Sequence, residues 1–285
     1  MVDQRQKKLV IKLYSIMISY KRLLPLLIVA AVTVNSCKND GCNDPLAFNY
    51  DPDGEGTETC VYEPKQISLD VQPKFGEVDL VNNEMQKMDD GRRIQISYFG
   101  AYLSNISFKE AGEEDYQRWN LNDVALIKDG QLSVDGVYLN KSSIEGFSFD
   151  IGVDTALYSD DPSDTSKVAA ESPLSLQVPS MYWGWAAGYR FISIEGMVDT
   201  SAASDSSGMT PFAFHCGLPA NLKSIVDDST DISADGNSIQ MNLSIDVKTL
   251  LSGIDFTTDD LIIHDGNHPV TVLIMNNALN AVRLE

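Results

Sequence analysis

Three stretches of this chain alternate apolar and polar residues so strictly that each can bury only one face of an extended strand. Ile94, Ile96 and Tyr98 alternate with Gln95 and Ser97; Phe147, Phe149, Ile151 and Val153 alternate with Ser148, Asp150, Gly152 and Asp154; Ile239, Met241, Leu243, Ile245 and Val247 alternate with Gln240, Asn242, Ser244 and Asp246. Successive side chains of a strand point to opposite sides, so each apolar set shares a face. Further strands are expected near 67–72, 101–108, 122–128, 181–185, 188–198 and 211–217, and a helix over 270–283. Strands with one wet face, separated by Gly, Asp and Asn turns, predict an all-β fold, an antiparallel β-sandwich with a short C-terminal helix. The stretches 160–172 and 199–208 read as polar loops, the second as a hairpin tip.

The N-terminus reads as an address. Lys21 and Arg22 precede twelve uncharged residues, Leu23 to Val34, and then Asn35, Ser36 and Cys37. An apolar run this short cannot span a bilayer as a helix, which needs about 20 residues, but it suits a secretory signal. Small Ser36 before Cys37 resembles the lipobox of bacterial lipoproteins, which implies lipidation of Cys37 and a membrane anchor. The expected location is the cell envelope of a Gram-negative bacterium, periplasmic or at the cell surface. The chain has 21 basic and 41 acidic residues, of which residues 1–37 hold six and one, so the remainder carries 15 against 40. A surface this negative repels nucleic acid.

Four cysteines are present. With Cys37 assigned to lipid and an oxidising compartment expected, Cys42 and Cys60 are the natural disulfide, leaving Cys216 as a small buried hydrophobe. Gly41-Cys42-Asn43-Asp44-Pro45 through Cys60-Val61-Tyr62 resembles a short cysteine-bounded motif of exported bacterial proteins. Asp51, Asp53, Glu55 and Gly56 sit at EF-hand-like spacing, but Tyr62 stands where the closing Glu belongs, so a plain turn is expected. The organisation read from the sequence is a signal over 1–37, a small disulfide-bounded loop over 38–65 and a β-sandwich over 66–285.

Candidate chemistry concentrates in Met181 to Gly217. Trp183 and Trp185 share a face if 181–185 is a strand, either as core or lining a site. On a regular strand His215 and Cys216 point to opposite faces. Arg190 and Glu195 read as a structural ion pair, or a cap on buried backbone. His264 and His268 flank Asp265-Gly266-Asn267, which favours a loop before the C-terminal helix. No Ser/His/Asp order, HExxH or paired-carboxylate pattern stands out, so an enzyme is not expected.

From Leu69 to about Asn277 the chain resembles the MbnP family of exported copper-binding proteins associated with methanobactin systems. The resemblance is carried by Tyr98, Leu103-Ser104-Asn105-Ile106, Phe149-Asp150-Ile151-Gly152-Val153-Asp154, Ser172-Pro173-Leu174, Met181-Tyr182-Trp183-Gly184-Trp185, Gly188-Tyr189-Arg190-Phe191, Glu195-Gly196 and Phe214-His215-Cys216-Gly217. It implies an all-β fold and a copper site, with a tryptophan oxidised to kynurenine by a partner dihaem enzyme in some members. On that reading His215 supplies one imidazole, and a second ligand comes from His264, His268, Met181 or an oxidised Trp183 or Trp185. A dihaem cytochrome-type enzyme and an outer-membrane transporter are the implied partners. The departure is Ser172, where relatives carry His, and it favours the alternative of a ligand-binding or cell-surface interaction module without a functional metal site.

Overall fold

The structure is a computed structural model that describes residues 41–45, 47–57, 59–61, 65–119, 124–128, 132–139, 141, 143–157, 161–184, 187–201 and 205–285. The lipidation site expected at Cys37, and Trp185, lie outside the described residues. The chain divides into two compact units, with the boundary between Tyr62 and Glu63.

In the first unit Cys42 and Cys60 form a disulfide, as expected, across a sequence separation of 18. Asp51 Oδ1 accepts the Asp53 N–H at 3.0 Å, the self-capping by which an aspartate makes a turn.

Among the described residues the second unit has sixteen strands. They are β1 (Lys65–Phe75), β2 (Val78–Asp79), β3 (Met85–Lys87), β4 (Arg93–Glu110), β5 (Gln117–Arg118), β6 (Val124–Lys128), β7 (Leu132–Leu139) and β8 (Ser143–Ile151), followed by β9 (Tyr182–Gly184), β10 (Gly188–Asp199), β11 (Met209–Gly217), β12 (Lys223–Asp227), β13 (Ile232–Ser233), β14 (Ser238–Asp246), β15 (Ile262–Ile263) and β16 (Val282–Leu284). Two helices, α1 (Val247–Leu250) and α2 (Pro269–Ala281), lie near the C-terminus. One sheet runs β16-β14-β1-β2 with β7 also on β1; the larger runs β12-β8-β4-β10-β11-β15 with β3, β5, β6, β9 and β13 attached. The expected all-β sandwich with a C-terminal helix is what forms.

Its sheets are mixed, however. β1 pairs with β14 in parallel from Gln66↔Ser238 to Lys74↔Asp246, and β11 pairs with β15 in parallel. Alternation reveals which face a residue takes but not strand direction, and the long connection between β1 and β14 leaves either direction open. The C-terminal helix begins at Pro269 behind a His268 cap and ends at Ala281. Its expected last residues instead form β16, because Val282, Arg283 and Leu284 pair with Ile245, Ser244 and Leu243 at the edge of β14.

One core joins the sheets. Ile67, Leu69 and Val71 of β1 and Ile239, Met241 and Leu243 of β14 are buried in one cluster with Ile94, Ile96, Ile194, Phe212 and Phe214. Val270, Ile274 and Ala278 of α2, spaced by four, bury the helix face in the same cluster. Each of these side chains larger than alanine contributes about 1.5–3 kcal/mol by leaving water. Among the described residues, no helix is long and apolar enough to cross a membrane.

Candidate functional site: a polar face on the larger sheet

The main core takes one face of β10 and β11; the other carries polar groups packed among the buried Tyr98 and Met181 side chains. Ile192, Ile194 and Val198 pair across β11 with Cys216, Phe214 and Thr210 on the core side, whereas Ser193 and Glu195 pair with His215 and Ala213 on the opposite face. His215 and Cys216 therefore do point apart. Cys216 is fully buried, and burial pushes its thiol up to about 12. Phe212 and Phe214 beside it stack against Phe256.

Two β-bulges bring further polar residues to the His215 face. On β4 the register steps from Gly196↔Ile96 to Glu195↔Tyr98, so Ser97 is the extra residue and Tyr98 is turned away from the side of Ile94 and Ile96. The expected common face of Ile94, Ile96 and Tyr98 is thus corrected: an inserted residue inverts the phase of everything after it. On β10 the step from Arg190↔Gly217 to Ile192↔Cys216 places Arg190 on the same side as His215. A perfectly alternating β10 would have put Arg190 on the core side with Ile192 and Ile194.

His215 sits at the centre of this face and is 5% exposed. Its Nε2 lies 2.8 Å from Glu195 Oε1. A carboxylate accepts, so Nε2 carries the proton and Nδ1 keeps a lone pair. That lone pair faces His264 Nδ1 at 2.6 Å, and the rings are 4.4 Å apart. The parallel pairing of Ala213 with Ile262 and Phe214 with Ile263 runs on to set His264 beside His215. Burial, first, and the Arg190 charge lower the His215 pKa to about 4 against the opposing pull of Glu195, so the ring is neutral at physiological pH.

Arg190 does not form the expected ion pair with Glu195. The carboxylate is taken by His215, and the Arg190 Nη1 lies 3.4 Å from His215 Nε2. Desolvation draws the Arg190 pKa down, with Glu195 and Tyr98 opposing.

Met181 and Trp183 reach the same face. Gly100 pairs with Ser193, and a Cβ on Gly100 would meet the Tyr98 hydroxyl at 2.6 Å and Met181 Sδ at 3.0 Å. A Cβ on Gly217 would meet the Trp183 ring at 2.7 Å. Trp183 is half-buried against the sheet, so it lines this face rather than joining the main core. Of the six candidates proposed as ligands or lining residues, His215 and His264 are in contact, and Met181 and Trp183 reach the same face beside Gly100 and Gly217. His268 is held elsewhere: its Nδ1 accepts the Val270 N–H at 3.3 Å as the cap of α2, and its Nε2 lies 3.4 Å from Asp260.

The Ser172 position is tied to the sheet by two tyrosines. Tyr102 donates to the Pro173 carbonyl at 2.9 Å and Tyr189 to the Leu174 carbonyl at 2.8 Å, with the two rings edge to face. The Ser172 hydroxyl accepts the Leu174 N–H at 3.2 Å, so it serves its own turn. Among the described residues no group of three or more His, Cys, Asp or Glu side chains is placed to hold a metal ion.

Fold and site together define a two-sheet β-sandwich whose larger sheet carries a histidine-centred polar face opposite its core. The chain belongs to the MbnP family, whose model matches residues 64–269. MbnP from Methylosinus trichosporium is a similar solved structure at 15% identity and a TM-score of 0.49, covering 73% of this chain and 87% of that one. Among curated proteins none matches.

Sequence reasoning did not find Ser193 or the role of Tyr98 on this face, nor the pairing of Glu195 with His215. Odd spacing separates Ser193 from Arg190, and only a bulge makes them neighbours. Glu195 and His215 lie on adjacent strands whose hairpin register cannot be read without the structure.

Proposed function

We propose that this chain is a ligand-binding or cell-surface interaction module of the MbnP family, acting without turnover of its own and without a resident metal centre. The observation that carries this reading is the His215–His264 contact. At 2.6 Å the two Nδ1 atoms satisfy each other, and the family's further histidine is here Ser172, whose hydroxyl is engaged in its own turn. With its Nδ1 bonded to His264 and its Nε2 held by Glu195, His215 presents no free lone pair to a metal ion while that contact is closed.

Copper handling is the second reading. It is supported by the Glu195 carboxylate behind His215, an arrangement that orients imidazoles for metals, and by Met181 Sδ on the same face. On that reading His215, His264 and Met181 are the donors, Trp183 or Trp185 is the residue open to oxidation, and a dihaem cytochrome-type enzyme and an outer-membrane transporter are the partners. Metal content of protein isolated from its native host separates the readings, together with the mass of the peptide spanning Met181 to Arg190. Metal-free protein with unmodified tryptophans supports the first; stoichiometric copper or a kynurenine mass overturns it.

The apolar run before Ser36 and Cys37 supports an extracytoplasmic, lipid-anchored location. The disulfide-bounded unit then serves as a stapled spacer between the anchor and the sandwich. Mass spectrometry of the membrane fraction tests this: an acylated Cys37 as first residue supports it, and a mature chain retaining residues upstream of Cys37 overturns it.

A further inference from the structure

The Arg190 end of the polar face holds three buried donors that find no acceptor among the described residues: Arg190 Nε, Trp183 Nε1 and Ser193 Oγ. Ser193 is fully buried and pairs directly with His215. Trp183 lies over Gly217, the cross-strand partner of Arg190. The three therefore share one side of the sheet. Buried polar atoms are almost always paired, so several orphans on one face point to a group that the protein does not itself supply.

The sign of that group follows from the donors. Arg190 forms no ion pair among the described residues. Its Nη1 faces His215 Nε2 at 3.4 Å, but that nitrogen gives its proton to Glu195 at 2.8 Å, so donor meets donor and the guanidinium gains nothing there. Glu195 acts on Arg190 across space without bonding it, so the guanidinium still calls for a directly bonded partner with negative charge and several lone pairs, and the indole N–H and the hydroxyl call for acceptors. Water supplies the lone pairs but not the charge.

We infer that the Arg190 end of this face binds a carboxylate, with its two oxygens on the guanidinium edge and within reach of the Trp183 N–H and the Ser193 hydroxyl. Two parallel N–H···O bonds to a planar fork are the geometry for which arginine is suited and lysine is not. The inference rests on the ligand-binding reading above and names the class of ligand: a small organic acid or a chain end that presents a free carboxylate. His264, at the β15 edge of this face, is exposed.

The test uses the purified chain, ¹⁵N-labelled at tryptophan and titrated with sodium acetate at constant ionic strength. Inorganic phosphate and chloride are run as separate arms. The Trp183 indole N–H, assigned with a Trp183→Phe variant, should shift saturably with acetate. Affinity should fall at least tenfold in Arg190→Gln and severalfold in Ser193→Ala, with Arg190→Lys failing to restore it. If Arg190→Gln does not fold, Ser193→Ala and the acetate saturation curve of the unaltered chain still decide. No saturable shift means that the face is only hydrated and overturns the inference. Saturation by phosphate but not acetate overturns the carboxylate assignment, and equal responses to chloride and acetate overturn it as charge screening. The outcome is separable from the metal question: a chain that binds copper and also saturates with acetate refutes the metal-free reading while keeping this one.

Discussion

His215 and His264 meet Nδ1 to Nδ1 at 2.6 Å, with the far nitrogen of His215 held by Glu195. The contact fixes proton positions along a short chain. Glu195 accepts from Nε2 of His215, and His215 accepts from His264 through Nδ1. A neutral His215 is the form this arrangement requires, and burial enforces it.

The pH dependence follows directly. Burial lowers the His215 pKa from 6.5 to about 4, so between those values the unfolded chain binds a proton that the folded chain refuses. Stability from neutral His215 is complete above pH 6.5 and is lost as pH falls toward about 4. Imidazole NMR of the native protein should show this ring titrating well below the free value. Titration at or above 6.5 would contradict its burial.

Gly217 makes room for Trp183. A Cβ there would stand 2.7 Å from the ring and 2.7 Å from the Tyr189 carbonyl oxygen, and the backbone oxygen cannot step aside. Gly217→Ala should destabilise the second unit by about 1–3 kcal/mol, in the range of overpacked sites, and should shift tryptophan fluorescence as Trp183 is displaced. Urea unfolding at unchanged midpoint with unchanged emission would show that Trp183 does not lie over this glycine.

Much of this architecture was legible in the sequence because alternation reports burial. β8 and β14 emerge from it, and the helix expected over 270–283 forms as α2. Ile94 and Ile96 were placed correctly, but Tyr98 was not, since the extra residue Ser97 leaves the written alternation intact while inverting the face. The candidate site was half visible. His215, His264, Met181 and Trp183 were named, yet nothing in the sequence distinguished His264 from His268. Register sets His264 beside His215, and a helix cap removes His268.

Cys216 is fully buried, with its thiol raised to about 12, so it remains protonated and unreactive in the native protein. Maleimide or iodoacetamide should label it only after denaturation. Rapid labelling of the folded chain would contradict the packing on the core face of β11.

The Cys42–Cys60 bond closes a loop with a sequence separation of 18. In the chain-entropy account a loop of that order gains roughly 3 kcal/mol from cross-linking. Reduction should therefore unfold the first unit while the second, which does not contain the bond, keeps its β-sheet circular dichroism. Loss of both together would show that the sandwich depends on the disulfide.

The most direct test of the central claim is a titration of the purified chain with cuprous and cupric copper against a competing chelator, beside His215→Ala and His264→Ala variants. If the histidine pair is closed on itself and serves a ligand-binding face, the three proteins bind copper equally weakly, without saturation at one equivalent. One tightly held equivalent in the unaltered chain that disappears in either variant would contradict the account and establish the pair as a metal site.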